Sequence, residues 1–464
     1  MKILQKISVL ILLLILTGCA HYLVNAPKPA YEPDYGYRYL SKANTIAQDK
    51  IYVALAFSGG GTRAAALSYG VMKRLKATTI QNGARTLLDE IDVISSVSGG
   101  SFTAAYYGLF GDQLFSDFKD KFLYRDIQGK LAQKLFNPVN WFRLMSPDFN
   151  RIDLAVELYN ETIFEQKTYQ DLINSGKQPF IAINATNLTT GSQFTFTQPT
   201  FDILGSDLST VPVARAVASS SAFPILLSPV SYKNYPASKG FDLSRDIKNG
   251  LKDQYNGPNP RRYMWAYNRA IYHRDKKNHP YVHLMDGGLA DNIGLRYIAD
   301  NFNHSSGFLF PRKTAINELV VIISNAKTQP PESLDQEESP PNLTDVAFKT
   351  ATVSMDNYSF ETIQLVSDIL KISERAARQI VHCQAVIDEH CSSGYKLPRM
   401  GHDFKVTVVE VNFLNVEDPA KQQRLLSLPT SFTLSEQQVD ELIVVGGELL
   451  DQSKAFNELL KRIK

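Results

Sequence analysis

An α/β fold is predicted, and it rests on two places where an apolar run of strand length turns directly into a helix. The first run, residues 51–57 (IYVALAF), is followed by Ser58-Gly59-Gly60-Gly61-Thr62-Arg63 and then by helix-like sequence at 64–72. The second, Ile91-Asp92-Val93-Ile94, enters Ser95-Ser96-Val97-Ser98-Gly99-Gly100-Ser101, after which residues 102–109 can start a helix. Buried strands that feed helices read as a mainly parallel sheet with helices against it. Further runs at 180–183, 318–323 and 404–413 supply more strands.

Each junction also carries chemistry. Three consecutive glycines let backbone amides converge on an anion. No Gly-Lys-Ser/Thr ending follows and the dinucleotide glycine spacing is absent, so an oxyanion hole fits Gly59, Gly60 and Gly61 better than a phosphate loop. At the second junction, small neighbours around Ser98 suit a nucleophile elbow, the sharp strand-to-helix turn that lifts a hydroxyl off a sheet. The helix behind it would aim free amides and partial positive charge at a developing oxyanion. A third element is Asp286, which ends the apolar run of residues 281–285, with Gly287 and Gly288 permitting close approach. A carboxylate there sits where open α/β sheets assemble their sites.

Taken together these blocks resemble the patatin-like phospholipases. Gly59-Gly60-Gly61-Thr62-Arg63 matches that family's glycine-rich oxyanion loop, and Ser98 within Ser96-Val97-Ser98-Gly99-Gly100 matches its nucleophile. Asp286-Gly287-Gly288 matches the aspartate of its dyad, and Ala218-Ser219-Ser220-Ser221-Ala222-Phe223-Pro224 matches the segment between nucleophile and acid. The order along the chain agrees, and the blocks span residues 51 to about 300. Two positions depart from the pattern: Ser96 and Ala64 stand where the family usually has glycine, and a side chain at 96 narrows the allowed backbone angles.

The resemblance implies a three-layer fold with a central, mainly parallel sheet flanked by helices, and a Ser98–Asp286 dyad that cleaves acyl esters of phospholipids or lysophospholipids. It implies an oxyanion hole at Gly59, Gly60 and Gly61, with Arg63, Gly99, Gly100, Gly287 and Gly288 in support. No cofactor and no metal is called for. Eight histidines occur, at 21, 273, 279, 283, 304, 382, 390 and 402, and none lies in a motif that demands one. His283, three positions from Asp286 along a strand, should point to the opposite face. The rival readings are an inactive lipid-binding or scaffold protein of the same fold, and a Ser-His-Asp esterase using one of these histidines. A formal net charge of +2 gives no case for a nucleic-acid partner.

The beginning of the chain reads as a signal peptide. Lys2 and Lys6 precede the apolar core of residues 7–16, which is shorter than the roughly twenty residues that span a bilayer. Leu16-Thr17-Gly18-Cys19 resembles a bacterial lipobox, which makes residues 1–18 a signal and Cys19 a lipidated N-terminus. Ala20 after it favours the outer membrane. Residues 19–50, with Pro27, Pro29 and Pro33 close together and no periodicity, read as an extended tether, and 51–464 as the catalytic domain.

Within that domain, 110–168 reads mostly as helix, broken at Asn137-Pro138, with Trp141, Phe142, Leu144 and Met145 clustered just beyond. A turn at Thr190-Gly191 joins two strands. Residues 231–280 interrupt the motif region with interleaved aromatic and basic side chains, which suit a membrane interface as well as an ordinary insertion. A C-terminal elaboration starts near 343, with helical patterning at 345–381 and a capping box, Ser435 to Gln438, opening the last helix. Cys383 and Cys391 are expected to form a disulfide: it requires the helix to end between them, since eight helical residues would hold their Cα atoms about 12 Å apart, and Ser392-Ser393-Gly394 suggests a nearby end.

Overall fold

The structure, a computed structural model, describes residues 25–39, 51–80, 83–176, 179–224, 226–257, 259–303, 316–328, 338, 343–391, 394–397 and 404–463. The expected signal peptide, residues 1–18, and Cys19 lie outside them. Strands β1 (Ile51–Phe57), β2 (Ile91–Val97), β3 (Phe180–Asn187), β4 (Gln193–Thr195), β5 (Val230–Lys233), β6 (Tyr281–Met285), β7 (Glu318–Asn325) and β8 (Lys405–Asn412) form one eight-stranded sheet. Its order is β8-β7-β1-β2-β3-β6-β5, with β4 hairpinned onto β3 around Gly191. The five strands from β8 to β3 are parallel, while β6 runs antiparallel to both its neighbours, β3 and β5. Every residue of β2, β3 and β7 is buried, as a sheet covered on both faces requires.

Connection direction sets the layers. Helix α1 (Gly61–Lys76) carries the chain from β1 to β2, and α2 (Gly99–Phe110) follows β2 on the way to β3, both stepping one way along the sheet. The long helix α9 (Leu343–His390) carries β7 to β8, stepping the other way. Right-handed crossovers therefore place α1 and α2 on one face and α9 on the other, giving three layers. Helix α10 (Glu436–Gln452) joins the first layer against α1, where Gly70 and Gly446 let the backbones meet. A Cβ on Gly70 would fall 2.2 Å from the Ile443 carbonyl oxygen. The capping box that opens α10 is present, with Ser435 and Gln438 each accepting the other's backbone N–H. It does not open the last helix, because Lys454–Ile463 follows.

Two expectations are corrected. Residues 25–39 are not a free spacer: Ala26–Pro27 pairs with Ser206–Asp207, and Asn25 exchanges hydrogen bonds with the Lys233 backbone. Tyr37 is buried, stacks on Phe180 with centroids 4.5 Å apart, and accepts the Ile181 N–H. Prolines kept this stretch from showing a pattern, but its Tyr37 and Tyr39 belong to the core. The disulfide between Cys383 and Cys391 is not formed either. Helix α9 runs unbroken past Cys383, and the Cys391 N–H still donates to the Ile387 carbonyl, so both thiols stay free and exposed.

Residues 231–280 fold into β5, a short helix at Arg245–Gly250, and α7 (Pro260–Arg274), so this stretch is the crossover between the antiparallel strands. Its aromatics divide: Tyr232 and Tyr272 are core, whereas Tyr255 and Tyr267 are exposed. Among the described residues, no helix is long and apolar enough to cross a membrane.

Candidate active site

The point where strand order reverses lies between β1 and β7, and open α/β sheets bind ligands at the carboxyl ends beside such a point. The loop after β1 is fixed there from several sides. The Ser58 N–H donates to the Ser324 carbonyl, and the Ala326 N–H donates to Ser58 Oγ. Arg63 is buried and donates to the carbonyls of Ala326 (3.0 Å) and Leu428 (2.6 Å) and to Thr430 Oγ1 (3.0 Å). The Thr62 N–H donates to the Ser431 carbonyl. Gly61, at φ 61°, has no room for a side chain, since a Cβ would lie 2.3 Å from the Ser431 oxygen.

Ser98 closes β2 at φ 47°, ψ −119°, a conformation that costs an L-residue on the order of 1–3 kcal/mol and persists only under surrounding constraint. The constraint is visible. The Ser98 N–H donates to Ser220 Oγ (2.8 Å), which itself donates to the Asn184 carbonyl (2.6 Å). Gly99 and Gly100 lie directly against the β1 loop: a Cβ on Gly99 would fall 2.0 Å from the Gly61 oxygen, and one on Gly100 would fall 2.7 Å from the Ser58 oxygen. Ser96 is buried in the sheet, so the departure from glycine there is accommodated within β2.

Asp286 reaches the same spot from the other direction. Because β6 is antiparallel, it descends onto the carboxyl edge of β3 from outside, pairs through Leu284 and Met285, and ends at Asp286. The Asp286 and Gly287 amides donate to the carbonyls of Ala222 and Ser220, and Thr186 Oγ1 donates to the Asp286 carbonyl. Gly287 is needed because a Cβ there would lie 2.2 Å from the Asn184 backbone oxygen, while a Cβ on Gly288 would meet only the mobile end of the Met355 side chain first, at 2.1 Å.

These elements bring Ser98 Oγ to 2.9 Å from Asp286 Oδ2, with the hydroxyl donating. The other carboxylate oxygen accepts the Gly288 N–H at 2.8 Å. Burial pushes the Asp286 carboxyl up to about 6, against the opposing pull of the Gly288 and Ser98 hydrogen bonds. Such a carboxylate is ionised at neutral pH yet basic enough to take a proton from a hydroxyl during attack.

Of the three glycines expected to hold an oxyanion, one is corrected. The Gly59 N–H is spent on the Asn292 carbonyl (2.9 Å). Among the described residues, the Gly60 and Gly61 amides have no hydrogen-bond partner, at the start of α1. Arg63 is a clamp that shapes the loop from behind. His283 points away as expected, bonded to Ser231 on the exposed face of β6, and His273 and His279 sit edge-on to Phe241 and Tyr272. Among the described residues, no group of three or more His, Cys, Asp or Glu could hold a metal.

Sequence reading missed the struts. Ser220 lay in a quoted block without a role, and Asn184 and Thr186 lay beyond the apolar part of β3. The segment at 428–431 gave no sign of reaching the loop.

Residues 55–299, more than half of the chain, match the patatin-like phospholipases, and this interval contains the loop, the elbow and the acid in that order. The chain belongs to the patatin-like phospholipase family. Among solved structures, human GIVD cytosolic phospholipase A2 is similar at 13% identity with a TM-score of 0.44, covering 96% of this chain and 69% of that one. The same human protein in complex with methyl gamma-linolenyl fluorophosphonate gives 13% identity and a TM-score of 0.41, over 92% of this chain and 62% of that one. VipD from Legionella pneumophila gives 11%, a TM-score of 0.29, and 96% and 71%. Likeness this remote assigns neither a residue nor an activity. No curated protein matches the chain. The Arg63 clamp and Ser431 pairing tie the patatin-like interval to sequence beyond its end, so the site belongs to the whole sheet.

Proposed function

We propose that this chain is a lipid acyl hydrolase working through a Ser98–Asp286 dyad. The observation that carries it is the 2.9 Å hydrogen bond from a strained serine to a buried carboxylate, beside two unspent amides. Ser98 Oγ attacks the ester carbonyl carbon while its proton passes to Asp286 Oδ2. The carbonyl oxygen becomes an oxyanion held by the Gly60 and Gly61 N–H groups. Collapse expels the alcohol, which takes the proton from Asp286 and leaves an acyl-serine. Water then attacks the acyl carbon as Asp286 takes its proton, and collapse breaks the bond to Ser98 Oγ, which recovers that proton as the fatty acid leaves. Membership of a phospholipase family supports phospholipid or lysophospholipid as the substrate class.

A fluorophosphonate probe should label the full-length protein on Ser98, and the labelled protein should lose its release of fatty acid from phospholipid vesicles. Absence of labelling on folded protein would favour the inactive lipid-binding reading. Loss of activity on replacing a histidine, with Asp286 dispensable, would favour a triad.

The organisation we infer is that of an envelope lipoprotein: signal peptide 1–18, acyl chains on Cys19, and a catalytic body sorted to the outer membrane. One acyl chain binds reversibly, and several make a stable anchor. Cys19→Ala should release the protein to the soluble fraction or block its processing. Unchanged membrane fractionation with an unchanged mature mass would count against the anchor.

A further inference from the structure

Asn292 sits where the glycine loop and the acid turn meet. Its backbone carbonyl takes the Gly59 N–H, and its side chain packs into the notch that Gly59 and Gly288 leave open. A Cβ on Gly59 would lie 2.4 Å from Asn292 Oδ1 and 3.3 Å from Ser98 Cβ. A Cβ on Gly288 would lie 2.8 Å from the same Oδ1 and 3.1 Å from Asp286 Oδ1. The carboxamide oxygen therefore borders the nucleophile on one side and the acid on the other. Neighbours in the chain fix it there. Asp291 accepts the Ile293 and Arg296 N–H groups at the start of α8 (Leu295–Asn303), and Ser95 Oγ donates to the Gly294 carbonyl at 2.6 Å.

Asn292 Oδ1 is buried, yet among the described residues no donor reaches it. A buried acceptor without a donor is costly, and in a native fold it points to water or to a group on a ligand. The amides of the two glycines it packs against are already used, Gly59 on the Asn292 backbone and Gly288 on Asp286 Oδ1. The remaining neighbour at the Gly288 position is the methyl end of Met355 from α9, which donates no hydrogen bond and can swing aside about three rotatable bonds. We propose that Asn292 Oδ1 seats the water that hydrolyses the acyl-enzyme. The inference rests on the Ser98–Asp286 reading above. Once Ser98 is acylated its Oγ no longer donates to Asp286, so two acceptors, Asp286 and Asn292 Oδ1, flank the acyl group. Water has two hydrogens to give them, whereas an alcohol has one. Held by both, it presents a lone pair to the acyl carbon. Its oxygen bonds to that carbon as one proton passes to Asp286, while the other hydrogen, held by Asn292, stays with the fatty acid. The bond to Ser98 Oγ breaks, and Oγ takes the proton back from Asp286. Acylation makes no use of this contact, because the attacking group there is Ser98 itself.

The test compares the full-length chain with Asn292→Leu, which keeps the volume and removes the acceptor, and with Asn292→Asp, which keeps an acceptor and adds charge. Each protein, in excess over p-nitrophenyl butyrate, is followed through one turnover. Release of p-nitrophenol reports acylation, and the intact mass of acid-quenched protein reports decay of the butyryl adduct on Ser98. In Asn292→Leu the first phase should keep its wild-type rate, as should fluorophosphonate labelling, while adduct decay slows roughly tenfold to a hundredfold, the range for one lost orienting hydrogen bond. In Asn292→Asp the added charge raises the pKa of Asp286, so decay should recover toward the wild-type rate as the pH is raised. Equal slowing of both phases in the leucine variant would overturn the proposal, since Asn292 would then only shape the loop, and so would decay at the wild-type rate. Should the leucine variant fail to fold, an aspartate variant that stays slow at every pH would overturn it, because the amide N–H would then be the group that matters. A wild-type protein that neither labels nor forms an adduct would remove the dyad reading and this one together, whereas a labelled wild type with an unaltered leucine variant removes this one alone.

Discussion

Asp286→Asn will give a protein that is more stable than the wild type at neutral pH and slower on phospholipid by on the order of 10²–10⁴-fold, the range of a lost general base. Both effects come from the same buried carboxylate. In the folded state its pKa is about 6 against an ordinary 3.8, so between these values the folded chain binds more protons than the unfolded one. Stability therefore falls as pH rises through that window, and above it the ionised group costs up to about 3 kcal/mol. Asparagine keeps the shape, can still accept the Gly288 N–H, and removes the charge. The melting temperature should rise in neutral buffer, and the gain should shrink below pH 4. Wild-type kcat/KM should climb through a single ionisation near 6 and level off above it. Ser98→Ala should be at least as slow, and the double variant scarcely worse than either, because the two residues act as one unit. An Asp286→Asn enzyme with near-normal turnover, or one that melts lower at neutral pH, would contradict this account.

Gly99→Ala, which adds one methyl group, should cost roughly a hundredfold in turnover. Its Cβ would enter within 2.0 Å of the Gly61 oxygen and 2.6 Å of the Gly61 nitrogen, both backbone atoms that cannot rotate aside. The elbow and the oxyanion loop must separate, and a displacement of about 1 Å at reacting groups is enough for a loss of that size. Overpacking should also lower stability by about 1–3 kcal/mol. Probe labelling of Ser98 should slow in parallel, because it too needs the amides. Wild-type labelling and turnover in this variant would mean that the loop yields freely.

What the sequence displayed and what it hid divide along physical lines. The loop, elbow and acid were legible because each sits beside glycines that the backbone cannot do without, at the end of an apolar run. β3 was legible only over 180–183, since its second half is polar: Asn184 and Thr186 brace the strands and loop around the site, and Asn187 bonds the buried Tyr272 hydroxyl. The spent amide of Gly59 could not be seen, because it depends on where residue 292 returns in space. Ser220 was hidden for a similar reason, as its neighbours come from three separate strands and loops. Tyr37 was hidden by the prolines that precede it, and the Cys383–Cys391 reading failed because the helix runs on to His390, with the Cys391 N–H still bonded to the Ile387 carbonyl, so that no turn brings the two thiols together.

The Arg63 clamp has a consequence for how the protein comes into being. Its partners at Leu428 and Thr430 lie 365 and 367 residues further along the chain. β1, next to the same loop, also takes one of its two neighbours, β7, from residues 318–325. During synthesis the glycine loop, the elbow and the acid are all made well before the pieces that hold the loop in shape. A chain cut short before residue 428 would carry Ser98 and Asp286 and lack two of the three groups that Arg63 grips. The glycine loop is therefore shaped by sequence made long after it, and on the function proposed above the dyad would be present before the loop is set.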